Sequence, residues 1–424
     1  MNSFWRIFSL EFTAFVRSKS LAMLLAASAA WMLVAPFAFR GDGTAEGARQ
    51  LALHYSLGGV AALLAVSLLA SATGSIARER AERRLQLTIV RPVRYMTVAL
   101  AKIAALSAAG ALVLGLAAAI EAARSPLSRP CSHLLSPVMQ SPREEALEMY
   151  EAYMRDPSTP DAVRKAKKSV VLRLLAQRSF DRYETVQTNG TATWRFTLPN
   201  AGRAVEGVRA RMRFTNLYGM RQDVAGRLVC DFGDVVLRGD VGNVTQAVVD
   251  IPLEATEGAA SAPGVLAFRN DGGSPVMLRP RRDVNLLVPA DGFAQNLARA
   301  YVELVAMLAL LVSFGVFLGS ALGRPVALFT AIASLAVAEM SPSVIEQYSD
   351  ELENDPLDAI GLCITRAAAE ITHPVSSLDP MSRLAEDVCI EPREVARVVL
   401  LDMLLAPLLF ALLASVVIPR KTGD

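Results

Sequence analysis

The chain is 424 residues long, 53% hydrophobic and 20% charged, with a formal net charge of +2 and a mean hydropathy of +0.35. That is too apolar for an ordinary water-soluble enzyme and too charged for a chain lying wholly in a bilayer, which leaves a membrane protein with a substantial aqueous part. Nothing in the sequence suggests nucleic acid as a partner.

Crossing roughly 30 Å of hydrocarbon takes about 20 apolar residues. Runs of that order occur at 21–39, 51–72, 97–119, 301–322, 325–340 and 395–418, the fifth being the shortest. The fold class expected is therefore a mainly α polytopic membrane protein of six transmembrane helices, carrying an inserted extracytoplasmic α+β domain that contains a β-sandwich. Glycine and alanine are abundant in the runs, as in IAALSAAGALVLGLAAAI, where small residues let helices approach closely.

Residues 1–20 precede the first span. Phe4, Trp5, Phe8, Phe12 and Phe15 fall mostly on one helical face, with Arg6, Glu11, Arg17 and Lys19 interspersed, which predicts an interfacial helix on the cytoplasmic leaflet and no cleavable signal. Residues 21–120 hold spans one to three. Between the second and third lies the stretch Gly74 to Lys102, with Arg78, Arg80, Arg83, Arg84, Arg91 and Arg94 against Glu79 and Glu82 alone. By the positive-inside rule its loop, 74–96, is cytoplasmic.

Threading from there puts 121–298 outside, the Gly323-Arg324 turn inside, 341–394 outside and the tail Arg420-Lys421 inside. The acidity of 341–394 (Glu346, Asp350, Glu351, Glu353, Asp355, Asp358) agrees with this orientation. All four cysteines, Cys131, Cys230, Cys363 and Cys389, fall in the outside segments. Two disulfides in an oxidising compartment are expected, with Cys131–Cys230 and Cys363–Cys389 favoured among the three connectivities, against the alternative of four buried thiols.

Within 121–298, SPLSRPCSHLLSPVMQSP reads as an irregular linker. A helical hairpin follows over 142–180, broken at PSTPD, its second helix made basic by Arg164, Lys165, Lys167 and Lys168 as a solvated face. From 183 to 290 the period becomes two: TATWRFTLP, VRARMRFTN, GRLVCDFG, DVVLRGDV, TQAVVDIPLE, GVLAFRND and DVNLLVPA alternate between Gly, Asn and Asp turns, the pattern of a β-sandwich. Trp194, Phe196 and Tyr218 are read as core rather than as a sugar platform. Spans four and five occupy 299–340. Segment 341–394, with helical runs between prolines, is expected to cap the last two spans, and 395–424 is span six with a cytoplasmic tail.

His54, His133 and His373 lack ligand spacing, so no metal site is expected. There is no G-x-S-x-G elbow and no phosphate-binding loop, so the chain is expected to be neither an enzyme nor an ATPase in its own right. Ionisable residues in or beside the spans are the sharper signal. Glu303, Glu339 and Arg397 fit snorkelling to the interface, whereas Asp402, deeper and shorter, is the candidate for a buried pair or a gate; Lys102 can reach back to the cytoplasmic face.

The stretch 74–102 resembles the loop between spans two and three of type-2 ABC exporter permeases: Glu79-Arg80, then Leu85 and Leu87, then Pro92-Val93 with Arg94, then Lys102 at the start of the next span. LEFTAFVRSKS, with Glu11, Arg17 and Ser18, is similar to the entry helix of that family. Arg83-Arg84 replaces the family's Gly-Thr, and Arg94 follows the proline by two residues instead of three. The resemblance covers the six-span frame, about half the chain, and leaves out the β-rich insert.

It implies a permease subunit in a bacterial cytoplasmic (inner) membrane with both termini cytoplasmic, paired with a second copy or a second permease and with a cytoplasmic ABC ATPase. ATP and Mg would sit on that ATPase, and no cofactor on this chain. Glu79, Arg80, Leu85, Leu87, Pro92 and Arg94 would form the coupling helix, with Ile76, Leu85, Leu87, Ile89 and Val90 packed in a groove of the motor. The alternatives are a basic loop resting on anionic membrane lipid, a membrane-anchored scaffold or sensor displaying the β-domain, and an intramembrane enzyme built on Asp402.

Overall fold

The computed structural model describes residues 3–38, 45–82, 94–124, 130–157, 159–160, 164, 166–180, 182–198, 207–216, 224–232, 235–244, 248–256, 264–336 and 380–422. It divides into two compact units, Met1–Arg129 with Gly292–Asp424, and Pro130–Asp291.

The first unit is helical: α1 (Ser3–Val16), α2 (Lys19–Ala38), α3 (Ala45–Ala81), α4 (Tyr95–Arg124), α5 (Phe293–Ala321), α6 (Arg324–Ala336), α7 (Pro380–Ala385) and α8 (Pro392–Val398). A π-helical stretch, Val399–Leu405, joins α8 to α9 (Ala406–Thr422). Among the described residues five helical stretches are long and apolar enough to cross a membrane: Lys19–Ala38, Ala48–Ala81, Tyr95–Arg124, Phe293–Ala321 and Pro392–Ile418. The expected fifth span is described only as the shorter helix α6. Its remaining residues to 340, Glu339 included, lie outside the described residues, as does most of the expected cap, 341–379.

Leu57, Val60, Leu64 and Leu68 recur at three- and four-residue steps along α3, so one stripe of that helix enters the core. It meets Leu106, Val113 and Leu114 of α4 and Leu297, Leu304, Leu308 and Val312 of α5. By contrast Met23, Leu33 and Phe37 on α2, and Leu404, Leu408 and Leu412 at the end of the chain, are exposed. An outer surface of bare leucines, methionines and phenylalanines around a core that also takes polar side chains fits lipid as the solvent.

Small residues set how closely α3 and α5 approach. A Cβ on Gly319 would stand 2.3 Å from the Thr73 carbonyl oxygen, and one on Gly315 would stand 2.9 Å from Ala72 Cβ. The glycine-rich composition of the spans is used here for backbone contact between helices.

The second unit has three sheets around one core. Pro130–Leu135, Val284–Gly292, Arg209–Arg213 and Val248–Pro252 lie side by side in one. Thr191–Arg195, Val265–Asn270, Val224–Phe232, Val235–Val244 and Glu254–Thr256 make the second, and Glu184–Val186, Val276–Leu278 and Thr215–Asn216 the third. The alternating runs place Ala192 and Trp194, Ala210 and Met212, and Leu266 and Phe268 inward. Trp194 and Phe196 are core residues, as expected; Tyr218 lies outside the described residues.

The expected linker is corrected. Pro130–Leu135 is a strand beside Val284–Gly292, with Cys131 and Ser132 buried. Its serines and prolines mimic a loop, and only pairing with a distant strand makes it β. The helical hairpin is present as Pro142–Arg155 and Lys168–Phe180. Ser141 caps the first helix in a reciprocal box with Glu144. Arg164, Lys167 and Lys168 are exposed on the second arm.

The cysteine pairing is also corrected. Cys131 is disulfide-bonded, as is Cys389, whereas Cys230 is a free, buried thiol, so Cys131 takes another partner than Cys230. The alternation that made Cys230 a strand residue also turned it into the core, where Leu266 of the neighbouring strand stands opposite it. Cys363 lies outside the described residues.

Candidate functional site

Two of the expected coupling residues lie in the last turns of α3, since that helix continues through Ala81 where the sequence predicts a loop from 74. Glu79 Oε1 accepts a hydrogen bond from Lys102 Nζ at 2.8 Å, and the same ammonium makes a short contact to Glu11. Lys102, only 2% exposed, thus ties α1, α3 and α4 together from within the core.

An ammonium removed from solvent costs several kcal/mol unless it is paired, and two carboxylates supply the pairing. Glu11 shares a helical face with Phe15, four residues on, which packs on the core, and Phe4, Phe8 and Phe12 stack on one another at four-residue steps. The sequence marked Glu11, Glu79 and Lys102 separately, and the tertiary structure makes them one cluster.

Arg80 is engaged beside it. Its two terminal nitrogens donate to the carbonyls of Ser320, at 2.7 Å, and Leu322, at 3.0 Å. These carbonyls belong to the end of α5, where the helix leaves oxygens without amide partners, and a cation there also suits the helix dipole. Arg80 therefore locks the end of α5 to the end of α3. Ile76, expected to face a partner groove, is fully buried in the core. Arg94 is exposed immediately before α4, its carbonyl accepting from the amides of Thr97 and Val98. Leu85, Leu87, Ile89, Val90 and Pro92 lie outside the described residues.

The intramembrane carboxylates occupy other places. Asp402 is 0% exposed and sits in the π-helical stretch, and neither of its oxygens has a hydrogen-bond partner among the described residues. A π turn leaves the regular ladder and is frequent at functional positions. Glu303, expected at the interface, is instead 2% exposed on α5 with Oε1 unpartnered among the described residues. The two acids do not hydrogen-bond each other. Arg397 is exposed on α8.

Three further polar locks were not read from the sequence. Asn296 of α5 donates to the Val388 carbonyl and accepts from the Ile390 amide, each at 2.8 Å, fixing the segment before α8. Nη2 of Arg49 on α3 donates to both carboxylate oxygens of Asp387, at 3.1 and 3.0 Å. Ser56 of α3 donates to Glu121 of α4 at 2.8 Å, with Arg124 one turn on. Polar side chains close to the ends of the apolar runs, just outside them for Arg49, Glu121 and Asn296 and just inside for Ser56, were the signal that could have found them.

In the second unit Glu145 is the hub. It accepts from Ser179, from Arg182 at 3.1 Å and from Arg281 at 2.9 Å, joining both arms of the hairpin to the turn at 280–283. Burial pushes its carboxyl upward, but the hydrogen bonds from Ser179, Arg281 and Arg182 outweigh that and hold it below the ordinary carboxylate range. Burial, with the Asp231 charge adding to it, pushes the Cys230 thiol up to about 12.

Among the described residues no group of three or more His, Cys, Asp or Glu side chains is placed to hold a metal ion. No family model, curated protein or solved structure matches the chain.

Proposed function

We propose that the chain is the membrane-spanning permease subunit of an ABC transporter, of the exporter type. The observation that carries this reading is the Glu11–Lys102–Glu79 cluster. Glu79 and Lys102 flank residues 83–93, where the coupling helix would lie, and Arg80 ties the same end of α3 to α5. A push on that segment from a soluble motor would reach α1, α3, α4 and α5 at once, because charges buried in one cluster do not separate cheaply.

On this reading ATP and Mg are held by a separate cytoplasmic ATPase, and Leu85, Leu87 and Pro92 dock into it. A second copy of the chain, or a second permease, completes the pathway. The run 325–340, which begins in α6, is the fifth of six spans, and the three sheets form a sandwich on the outer side of a bacterial inner membrane with both termini cytoplasmic.

The test is copurification from mild detergent. A soluble ATPase is expected in the eluate of the native chain and absent from that of the Leu85→Ala/Leu87→Ala double variant. A well-folded protein that never retains an ATPase overturns the permease reading and favours a scaffold displaying the β-rich unit.

A further inference from the structure

We propose that Glu303 and Asp402 each carry a proton at neutral pH and are successive steps of a proton path that enters the helical unit beside Arg383 and Glu394. Asp402 is fully buried, and neither of its oxygens has a hydrogen-bond partner among the described residues. Leu400, Met403 and Leu404 around it are about half exposed. The acid is turned inward and its apolar neighbours outward, the reverse of snorkelling to an interface. The irregular backbone has a local cause: Pro407 has no amide proton to give, and the Ala406 amide reaches back five residues to the Leu401 carbonyl.

Depth along the helices orders the two acids. The Asn296 bonds to Val388 and Ile390 align the start of α5 with the start of α8. Farther along, the Phe410 ring lies 5.6 and 5.8 Å from those of Phe314 and Phe317, so the two segments run side by side in the same direction. Met403 and Leu404 line one groove with Val305 and Ala309. Asp402 is therefore level with the turn of α5 that follows Glu303, about 5 Å deeper at the rise of an α-helix.

The cation nearest the entry is already engaged. Arg383 Nη1 donates to Glu394 Oε2 at 2.5 Å, and these are the two charges that act on Glu303 among the described residues. Glu303 is buried, with Oε1 unpartnered among the described residues. The other charges on the helices packed against α5 and the π-helical stretch are held elsewhere: Arg49 by Asp387, Arg80 by the end of α5, Lys102 by Glu11 and Glu79, Arg124 by Glu121, and Arg299 by the Ile390 carbonyl. Arg393 and Arg397 are exposed. An ionised carboxylate taken out of water without a counter-charge costs several kcal/mol, and a bound proton removes that cost. Carboxyls so placed inside apolar helices are the material of proton relays.

The path stands whether or not an ATPase copurifies with the chain. The experiment is infrared spectroscopy of the full-length chain in detergent micelles at neutral pH, followed in time after transfer to heavy water. A protonated carboxyl shows a carbonyl stretch that an ionised one lacks, and that band shifts as O–H becomes O–D. Two such bands are expected, one missing from Asp402→Asn and the other from Glu303→Gln.

Glu303→Gln is also expected to slow the shift of the Asp402 band by about tenfold or more, because the step before it is gone. Glu394→Gln frees Arg383 to pair with Glu303, and is expected to abolish the Glu303 band while the Asp402 band persists. No band lost in Asp402→Asn or in Glu303→Gln, an Asp402 band that exchanges as fast in Glu303→Gln as in the native chain, or a Glu303 band that survives Glu394→Gln would each overturn the proposal.

Discussion

Lys102 donates to Glu79 across 2.8 Å, and with that single bond the start of α4 is fastened to the end of α3. The same ammonium holds Glu11 of α1. Replacing Lys102 by Met leaves two carboxylates facing an apolar core with no cation, and is expected to destabilise the helical unit by about 3–5 kcal/mol. Glu79→Gln, which leaves the Lys102–Glu11 pair intact, is expected to cost less. Thermal unfolding in detergent of both single variants and the double variant checks this. Equal losses for the two single variants would show that the cluster is not organised around Lys102.

The approach of α3 to α5 yields a second expectation. Gly319→Ala drives a methyl toward the Thr73 carbonyl, 2.3 Å from where the Cβ would stand, and should cost roughly 1–3 kcal/mol by forcing the helices apart. Gly323→Ala, with nothing within 4 Å of its Cβ position, is the matched control and should melt within a degree or so of the native chain.

Asp402 carries the opposite sign. Both of its oxygens lack partners among the described residues, so removing the capacity for charge relieves a cost instead of breaking a bond. Asp402→Asn is expected to melt at or above the native temperature. A fall in stability would mean that the carboxylate has a partner that only its ionised form satisfies.

Cys230 should be silent to thiol reagents in the folded protein. Burial raises its pKa to about 12, so hardly any thiolate exists at pH 8. Alkylation with iodoacetamide followed by mass spectrometry is expected to leave Cys230 unlabelled until denaturant is added. Rapid labelling at pH 8 would contradict its placement in the β core.

For Glu145 the folded pKa lies below its ordinary value of 4.5. Its contribution to stability is therefore fully present above that ordinary value and is lost as pH falls through it toward the folded pKa. As pH falls below 4.5 toward the folded pKa, the full-length chain is expected to lose thermal stability more steeply than its Glu145→Gln variant. Parallel pH profiles of the two melting temperatures would show that the carboxylate is not the hub.

The spans and the strands were largely legible because each carries its own periodicity. The seven alternating runs are strands, and five of the six apolar runs are long helices. The strand at Pro130–Leu135 was not legible, since PCSHLL has the composition of a loop and becomes β only beside a strand some 150 residues later. The Cys131–Cys230 pairing failed for a related reason: spacing along the chain says nothing about which face of a strand a sulfur takes once the sheets close.

The sequence by itself determined that long stretches must be helices in an apolar medium, that a β-rich unit interrupts them, and that a few charges stand where charges are costly. These are local properties, settled by composition and period within some twenty residues. Only the tertiary structure decided what the charges do. Lys102 gathers Glu11 and Glu79, Arg80 turns inward to the end of α5, and Asp402 sits on a π turn with no hydrogen-bond partner among the described residues. A charge buried in a low dielectric is governed by whichever opposite charge comes within a few ångströms, and that neighbour is fixed by helix packing, not by order along the chain.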